Sequence, residues 1–371
     1  MDKIKNLAKM ITTYSIEVKE NENVLINSSS TKTSLLIKEL IKAIYEKKAN
    51  VTVRFSNDLI NAEILKGTSD KKISLLDEQA KFDNEHFDSF ISIYYNENDY
   101  QTKDVPSKIK QEIGKRLEKN RDILINEKKW VLLQYPSSLD AFKAKMNSDV
   151  FYNYAFDVMT YDYKQMAKDV LPLKKIMEKT DKVRLTGINT DLTFSIKGMN
   201  IIPCTGEKNI PDGEIYCGPI KDSVNGYITY NTPSPYQGHV YNNVKLTLKN
   251  GKIINATCNE EKDIEKLNEI FDTDEGSRFI GEFAIGLNPL VKQPMGDTLY
   301  DEKIIGSIHF TPGCCYDDSN NGNKSAIHWD MVLIQREDYG GGNIYFDDIL
   351  IRENGLFIHP NLLHLNYNNK N

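Results

Sequence analysis

The first half of the chain alternates short apolar runs with longer segments in which apolar residues recur at helical spacing. The apolar runs predict strands at residues 23–28, 49–55, 88–95 and 129–134. Helical segments separate these runs, among them residues 31–46 and a Lys- and Glu-rich stretch that begins after Pro106. Because strands joined through helices pair in parallel with right-handed crossovers, this half predicts an α/β domain with a parallel sheet.

The second half has a different pattern. A helical stretch from residue 148 to about residue 179 ends the first half, and strands and turns follow, with one helix at 260–272. Asn250-Gly251 predicts a hairpin turn between two alternating runs, and Asn354-Gly355 is a candidate for a second. We therefore expect two domains. The first is the α/β domain at 1–180, and the second is an α+β domain with a mainly antiparallel sheet at 181–371.

Composition narrows the class of protein. The chain has 371 residues, of which 40% are hydrophobic and 27% charged, and this composition excludes a disordered chain. The formal net charge of -6 comes without a basic stripe, which argues against nucleic acid as a partner. No apolar stretch approaches the length of a membrane span, so we expect no membrane partner. The sequence after the first candidate strand, Asn27-Ser28-Ser29-Ser30, lacks the glycines of a dinucleotide-binding loop.

The beginning of the chain and its cysteines bear on the compartment. Ile4, Leu7 and Ile11 recur at helical spacing, which predicts an amphipathic helix rather than a signal peptide. The number of cysteines, five, is odd, and none falls in a CxxC pair. A reduced chain in the cytoplasm is the expectation that follows.

Carboxylates and imidazoles collect within the apolar runs of the second half. His328 and Asp330 stand two apart in the run IHWDMV, and a strand would place both on one face. Glu282 lies inside GEFAIG, His309 ends the run SIHF, and Glu214 follows a Pro-Asp-Gly turn. Each has an ordinary explanation when taken alone: an orienting hydrogen bond for the His-Asp pair, a solvated carboxylate for either Glu, and a core position for the other His.

Together these residues support several kinds of metal site. Two Glu, two His and one Asp in one domain form the ligand set of a co-catalytic pair of divalent ions. Alternatively, His309, His328 and Asp330 alone would hold one iron, as in a ring-cleaving dioxygenase, and would leave Glu214 and Glu282 without a role. A third possibility is a peptide- or metal-binding protein without turnover.

Four motifs in fixed order resemble those of a known family. PDGEIYCGP, IGEFAIGLNP, GSIHFTPGCCY and SAIHWDMV are similar to motifs of the thermophilic aminopeptidases, the M29 metallopeptidases, and so is the TDLT stretch at 190–193. The strong matches cover about residues 190–332. Two departures stand out: Cys314-Cys315 replaces small residues, and the segment between His309 and His328 is shorter than in typical members.

The resemblance implies a set of site residues. It places the family's ligands for two divalent ions, which would be zinc, cobalt, manganese or magnesium, on Glu214, Glu282, His309, His328 and Asp330. It places the family's active-site tyrosine on Tyr316, which as a phenol would donate a hydrogen bond to the tetrahedral oxygen. No uncoordinated carboxylate is recognisable as the general base; a ligand such as Glu282 could serve, but the sequence does not decide this.

The function implied is that of a cytoplasmic metallo-aminopeptidase, a hydrolase that releases residues from the amino terminus of peptides. Its substrates would be peptides with a free amino terminus, because the free amine would occupy an open position on one ion. Family members resemble one another in forming dimers, so a homodimer is expected.

Overall fold

The computed structural model describes residues 2–366. By its internal contacts the chain divides into two compact units, Met1–Tyr161 with Gly206–Pro211, and Asp162–Thr205 with Asp212–Asn371. The domain boundary after residue 180 that the sequence predicts remains a proposal. Position 1 of the first proposed domain and positions 367–371 of the second lie outside the described residues.

The first unit contains seven α-helices and five strands among its described residues. The helices are α1 Asp2–Met10, α2 Ser34–Glu46, α3 Asp58–Lys66, α4 Asp70–His86, α5 Ser107–Glu127, α6 Ser138–Lys143 and α7 Ser148–Met159, with short helical turns at Ile11–Ser15 and Thr31–Thr33. The strands are β1 Asn23–Ser28, β2 Asn50–Phe55, β3 Ser89–Tyr94, β4 Lys129–Gln134 and β8 Asn209–Ile210.

These five strands form one sheet in the order β2-β1-β3-β4-β8, and every neighbouring pair is parallel. The α/β prediction is therefore confirmed for this part of the chain. Val24, Leu25 and Ile26 of β1 are all buried, although their side chains alternate between the faces of the sheet. A strand covered on both faces needs a continuous apolar run, which is the pattern that made it recognisable in the sequence.

The second unit contains four α-helices and fifteen strands among its described residues. The helices are α8 Tyr163–Asp169, α9 Leu171–Met177, α10 Ile264–Phe271 and α11 Thr298–Asp301, with short turns at Glu261–Asp263, Glu275–Arg278, Asp317–Ser319, Glu337–Tyr339 and Pro360–Leu365. The strands are β5 Lys182–Gly187, β6 Thr190–Ser195, β7 Ile202–Cys204, β9 Glu214–Cys217, β10 Asn225–Thr229, β11 Ser234–Tyr236, β12 His239–Tyr241, β13 Lys245–Lys249, β14 Lys252–Thr257, β15 Ile280–Gly286, β16 Ser307–Pro312, β17 Val332–Ile334, β18 Gly342–Phe346, β19 Ile349–Glu353 and β20 Leu356–Phe357.

Two antiparallel sheets organise this unit, as the α+β prediction requires. One has eight strands in the order β14-β13-β10-β6-β5-β18-β19-β20, and the other has five in the order β17-β16-β15-β9-β7. Both contribute to one buried apolar cluster. Within it the ring of Phe194 lies 5.0 Å from that of Phe283 and 5.1 Å from that of Phe310, centroid to centroid. The five-stranded sheet is thereby fixed along one face.

Both predicted hairpins are present. Asn250 and Gly251 have φ angles of 49° and 80°, the left-handed values that a type I′ turn needs, and they join β13 to β14. Asn354 and Gly355 join β19 to β20 with φ angles of 47° and 78°. The helical stretch predicted at 148–179 differs, because it consists of three helices, and the Asp162 side chain caps the second of them by accepting a hydrogen bond from the Gln165 N–H.

Within residues 2–366, no helix combines the length and the apolar character that crossing a bilayer would require. The cysteine side chains, at positions 204, 217, 258, 314 and 315, are free thiols.

Candidate metal centre

The five-stranded sheet carries three of the predicted site residues on adjacent strands. Glu214 begins β9, Glu282 lies near the start of β15, and His309 lies in the middle of β16. β15 runs between the other two strands and is buried along its whole length. Glu214 is only 5% exposed and Glu282 only 3%. Both carboxylates are thus inside the protein, so the solvated positions that each residue suggested when taken alone are excluded.

His328 and Asp330 precede β17 on an extended segment. The sequence suggested a regular strand here, but the pairing is interrupted: an isolated bridge joins His328 to Gly313, and β17 begins only at Val332. Between the bridge and β17 the hydrogen bonding is incomplete: the Phe310 N–H donates to the Met331 carbonyl and the Trp329 N–H to that of Pro312, but Pro312 has no N–H to return a bond. The expected alternation is nevertheless kept, because the intervening Trp329 is buried in the apolar cluster.

The predicted residues converge around Glu282. Its Oε1 lies 3.1 Å from Nε2 of His309, and its Oε2 lies 3.4 Å from Nε2 of His328. The same Nε2 of His309 is 3.5 Å from Oε2 of Glu214. The same Nε2 of His328 is 3.2 Å from Oδ1 of Asp330. Glu282 therefore lies between the two imidazoles and presents one oxygen to each.

The side chains form two adjacent groups that could each hold a metal ion. Glu214, Glu302 and His309 make one group, and Glu282, His328 and Asp330 make the other, with the ligand atoms of each group within 4.8 Å of one another. Among residues 2–366, Oε2 of Glu214 and Nε2 of His328 are buried, and the ion-pair neighbours within 3.5 Å of them do not form hydrogen bonds with them. Buried polar atoms without partners are costly, and a divalent cation would satisfy both. Imidazole and carboxylate donors are also ligands that such cations accept.

The pKa shifts of the site residues also indicate an excess of negative charge that a cation would compensate. Burial by itself lowers the pKa of an imidazole, yet Glu214 and Glu282 outweigh burial and raise the pKa of His309 to about 9. Burial acts to raise the pKa of Asp330, but the imidazole of His328 outweighs it and holds that pKa well below its ordinary value. The carboxylates of the metal-free centre thus favour protonated imidazoles, and a bound metal ion would displace those protons.

Two site residues were missed in the sequence, Glu302 and Lys303, which follow α11. Lys303 has no exposed surface, and its Nζ lies 2.5 Å from Oε1 of Glu214 and 2.6 Å from Oε1 of Glu302. Burial acts to lower the pKa of Lys303, but the carboxylates around it outweigh burial and hold that pKa well above its ordinary value. The lysine is therefore charged. A Glu-Lys pair at the end of a helix usually lies in solvent, so the sequence did not single out these two residues. The one indication that they are buried was the apolar pair Ile304-Ile305 that follows them.

Tyr316 lies beside the second group. Its ring centroid is 4.7 Å from that of His328 and 5.6 Å from that of Tyr216, whose hydroxyl donates a 2.6 Å hydrogen bond to Asp318. The residue is 48% exposed, so a substrate can reach it. Burial of the phenol group and the negative charges of Glu282 and Asp330 hold the pKa of Tyr316 well above its ordinary value. Tyr316 therefore keeps its proton and can donate a hydrogen bond.

A close backbone contact sets the position of Glu282. The pairing of β15 with β16 is irregular between Ile280 and Glu282, and Gly281 occupies the irregular position. A Cβ atom on Gly281 would lie 2.2 Å from the carbonyl oxygen of Cys314. Only glycine allows this approach, which holds the start of β15 against the loop that leads to Tyr316.

Comparisons with known proteins identify the family of the chain. The family model for the thermophilic metalloproteases (M29) matches residues 1–357. Aminopeptidase AmpS of Bacillus subtilis (strain 168) is 30% identical over 156 residues, which are 38% of this chain and only 37% of AmpS. The match thus spans little more than a third of that relative's length.

Two solved structures resemble the whole chain. AmpT from Thermus thermophilus has a TM-score of 0.77 at 16% identity, covering 96% of this chain and 99% of that one. The 2,5-dihydroxypyridine dioxygenase from Pseudomonas putida KT2440 has a TM-score of 0.60 at 13% identity, covering 97% and 98%. At such identities the two likenesses bear on the fold alone, and they confirm the predicted fold class.

The contact at Gly281 generates a prediction. Gly281→Ala should lower the free energy of unfolding by roughly 1–3 kcal/mol, because backbone atoms must move to accommodate the new methyl group. Gly114→Ala is the matched control: no atom lies within 4 Å of the added Cβ, and the site is inside α5. That change should stabilise the protein by about 0.5–1 kcal/mol. Urea denaturation of the metal-free proteins measures both values, and equal stability of the Gly281→Ala variant and the parent would contradict the packing argument.

Proposed function

The chain belongs to the M29 family of thermophilic metalloproteases, and on this basis we propose that it is an aminopeptidase that works with two divalent metal ions. The observation that carries the proposal is the position of Glu282, with one carboxylate oxygen toward each of two imidazoles. A carboxylate so placed is suited to bridging two ions. The similarity to proteins named aminopeptidases supports peptides with a free amino terminus as substrates.

We assign the ligands from these contacts. Glu214 and His309 would hold one ion, His328 and Asp330 the other, and Glu282 both. The donor set suits zinc, cobalt, manganese or magnesium. When bound, the ions would polarise the peptide carbonyl, acidify the attacking water and offer a ligand position to the free α-amine.

The protein's own groups supply the remaining chemistry. Glu302 belongs to the Glu214 group but is not among the ligands that the family resemblance implies. Lys303 holds one of its oxygens, so the other can accept the proton of the attacking water. On the opposite side, Tyr316 is protonated and can donate a hydrogen bond to the oxygen of the carbonyl as negative charge develops on it. We assign these two residues as proton acceptor and oxyanion donor.

The alternative of a single-iron dioxygenase has less support. His309, His328 and Asp330 are near one another, and the fold is also that of a dioxygenase. A facial triad, however, leaves Glu282 in contact with both imidazoles and Glu214 buried beside His309, with no role for either carboxylate. Two ions use both. The cytoplasmic location and the homodimer expected from the sequence remain predictions.

The first prediction from this proposal concerns metal content. Protein stripped with chelator, incubated with excess zinc, cobalt or manganese and desalted should retain two ions per chain by elemental analysis. His328→Ala should lose at least one ion, because it removes the nitrogen between Glu282 and Asp330. His239→Ala is the control, since His239 pairs with Asp263 away from the centre and should keep both ions. One ion per chain after reloading, together with iron in the protein as purified, would support the dioxygenase instead.

A second prediction concerns the end of the substrate. Peptides with a free amino terminus should be shortened one residue at a time, because the free amine is the group that the centre reads. The same peptides with an acetylated amino terminus should survive, since the amide nitrogen has no available lone pair. Mass spectrometry of timed digests distinguishes the two, and equal cleavage of both forms would refute the assignment.

A third prediction separates a ligand from the oxyanion donor. Glu282→Gln keeps the shape but removes charge from between the two cations, so metal and activity should be lost together. Tyr316→Phe removes one hydroxyl outside the ligand set, so both ions and KM should stay near the parent values. Its kcat should fall by roughly 10²–10³-fold, the usual effect of deleting one oxyanion donor.

Elemental analysis and steady-state kinetics on the two variants measure these effects. A Tyr316→Phe protein with full kcat would remove the phenol from the mechanism. A Glu282→Gln protein that keeps both ions and full activity would refute the two-metal centre.

A further inference from the structure

Lys303 is an unusual neighbour for a metal centre, because it is a basic side chain with no exposed surface and its ammonium group contacts only carboxylates among the ion pairs of the described residues. Its ion pairs are with Glu214 at 2.5 Å, with Glu302 at 2.6 Å and with Asp212 at 3.7 Å. All three carboxylates are on the Glu214 side of the centre. In the opposite group, Glu282 contacts the imidazoles of His309 and His328, and Asp330 contacts His328 and accepts a hydrogen bond from the Thr311 hydroxyl.

The lysine occupies what would otherwise be a third site for a cation. Cys204, Asp212 and Glu214 place a thiol and two carboxylates within 4.8 Å of one another. The ammonium group of Lys303 contacts both of those carboxylates. It therefore supplies there the positive charge that a metal ion would supply, and it is held covalently by the chain.

We propose that Lys303 is an internal cation that makes the two metal positions unequal. It stabilises the metal-free carboxylates on the Glu214 side and thereby weakens the binding of the ion held by Glu214 and His309. The position formed by His328 and Asp330 fills first, and the position on the Glu214 side fills second. The inference rests on the two-metal function proposed above.

The balance of charge supports this assignment. Five carboxylates surround the centre, those of Asp212, Glu214, Glu282, Glu302 and Asp330. Two divalent ions together with the one lysine neutralise all five. With a single ion the centre keeps two negative charges, so a second ion is still attracted in the presence of Lys303. The lysine therefore sets the strength of the second binding step without preventing it.

The sign of the effect follows from a thermodynamic cycle. Lys303 attracts the carboxylates in the metal-free protein, but in the loaded protein it also repels the ion that those carboxylates hold. Removing its charge destabilises the metal-free form more than the loaded form. The affinity for the second ion must then rise, and the stability of the metal-free protein must fall.

The experiment compares Lys303→Met, which removes the charge at similar volume, with Lys303→Arg, which keeps it. Chelator-stripped proteins are titrated with Co²⁺ in metal-buffered solution by calorimetry, and thermal unfolding is recorded with and without Co²⁺. The parent should show two separate Kd values. Lys303→Met should tighten the second by at least about tenfold, leave the first within about threefold, and lower the Tm of the metal-free form more than that of the loaded form.

Two controls keep the result interpretable. Lys303→Arg should retain the separation of the two Kd values because it keeps the positive charge. Lys197→Met removes a lysine whose side chain is 75% exposed, and neither Kd should change. If Lys303→Met folds only in the presence of metal, that dependence supports the proposal. In that case the metal titration is carried out on Lys303→Gln, which removes the charge but keeps a hydrogen-bond donor.

The outcomes that overturn the inference are distinct from those that overturn the function. Two ions per chain with an unchanged or weakened second Kd in Lys303→Met would refute the role of Lys303 and leave the two-metal aminopeptidase intact. One ion per chain in both the parent and the variant would refute the two-metal function and this inference together.

Discussion

The central constraint on this protein is the burial of several carboxylates in one place. A carboxylate removed from water is strongly destabilising unless a cation or hydrogen-bond donors compensate it. Here Glu214 and Glu282 lie on neighbouring strands of a sheet whose other positions are almost all apolar. Two imidazoles and one lysine compensate them in the metal-free protein. The register of the strands and the irregular pairing at Gly281 hold the acidic groups and their counter-charges within contact distance.

The surrounding sheet explains how this concentration of charge is tolerated. The apolar face of β15 and β16 packs through Phe283 and Phe310 into the cluster shared with the eight-stranded sheet. Residues that alternate with them along these strands, such as Glu282 and His309, therefore point away from that cluster. A rigid apolar layer on one face thus fixes the polar side chains on the other, which is what a metal centre needs from its scaffold.

The strands and site residues that depend on a local pattern of apolar and polar positions could be predicted from the sequence. The strand at 23–28 agrees with β1 at both ends because the buried run Val24, Leu25 and Ile26 is bounded by polar residues on each side. Glu282 and His309 were noticed because single polar residues stand out in apolar runs. Glu302 and Lys303 escaped notice because their burial results from the contact with Glu214, 88 and 89 residues away in sequence. The segment at 327–331 was read as a regular strand because its alternation is genuine, whereas the break in its pairing lies opposite Pro312, which has no N–H to donate.

The fold by itself does not decide the chemistry. The same architecture is similar to that of an aminopeptidase and to that of a dioxygenase, so the reaction must be argued from the side chains that the sheet presents. Two imidazoles and one carboxylate suit a single iron with open positions. In this chain a carboxylate between the imidazoles and another beside His309 add negative charge that one ion would leave uncompensated. The placement of Glu214 and Glu282, rather than the histidines, is therefore what favours a pair of ions and hydrolysis.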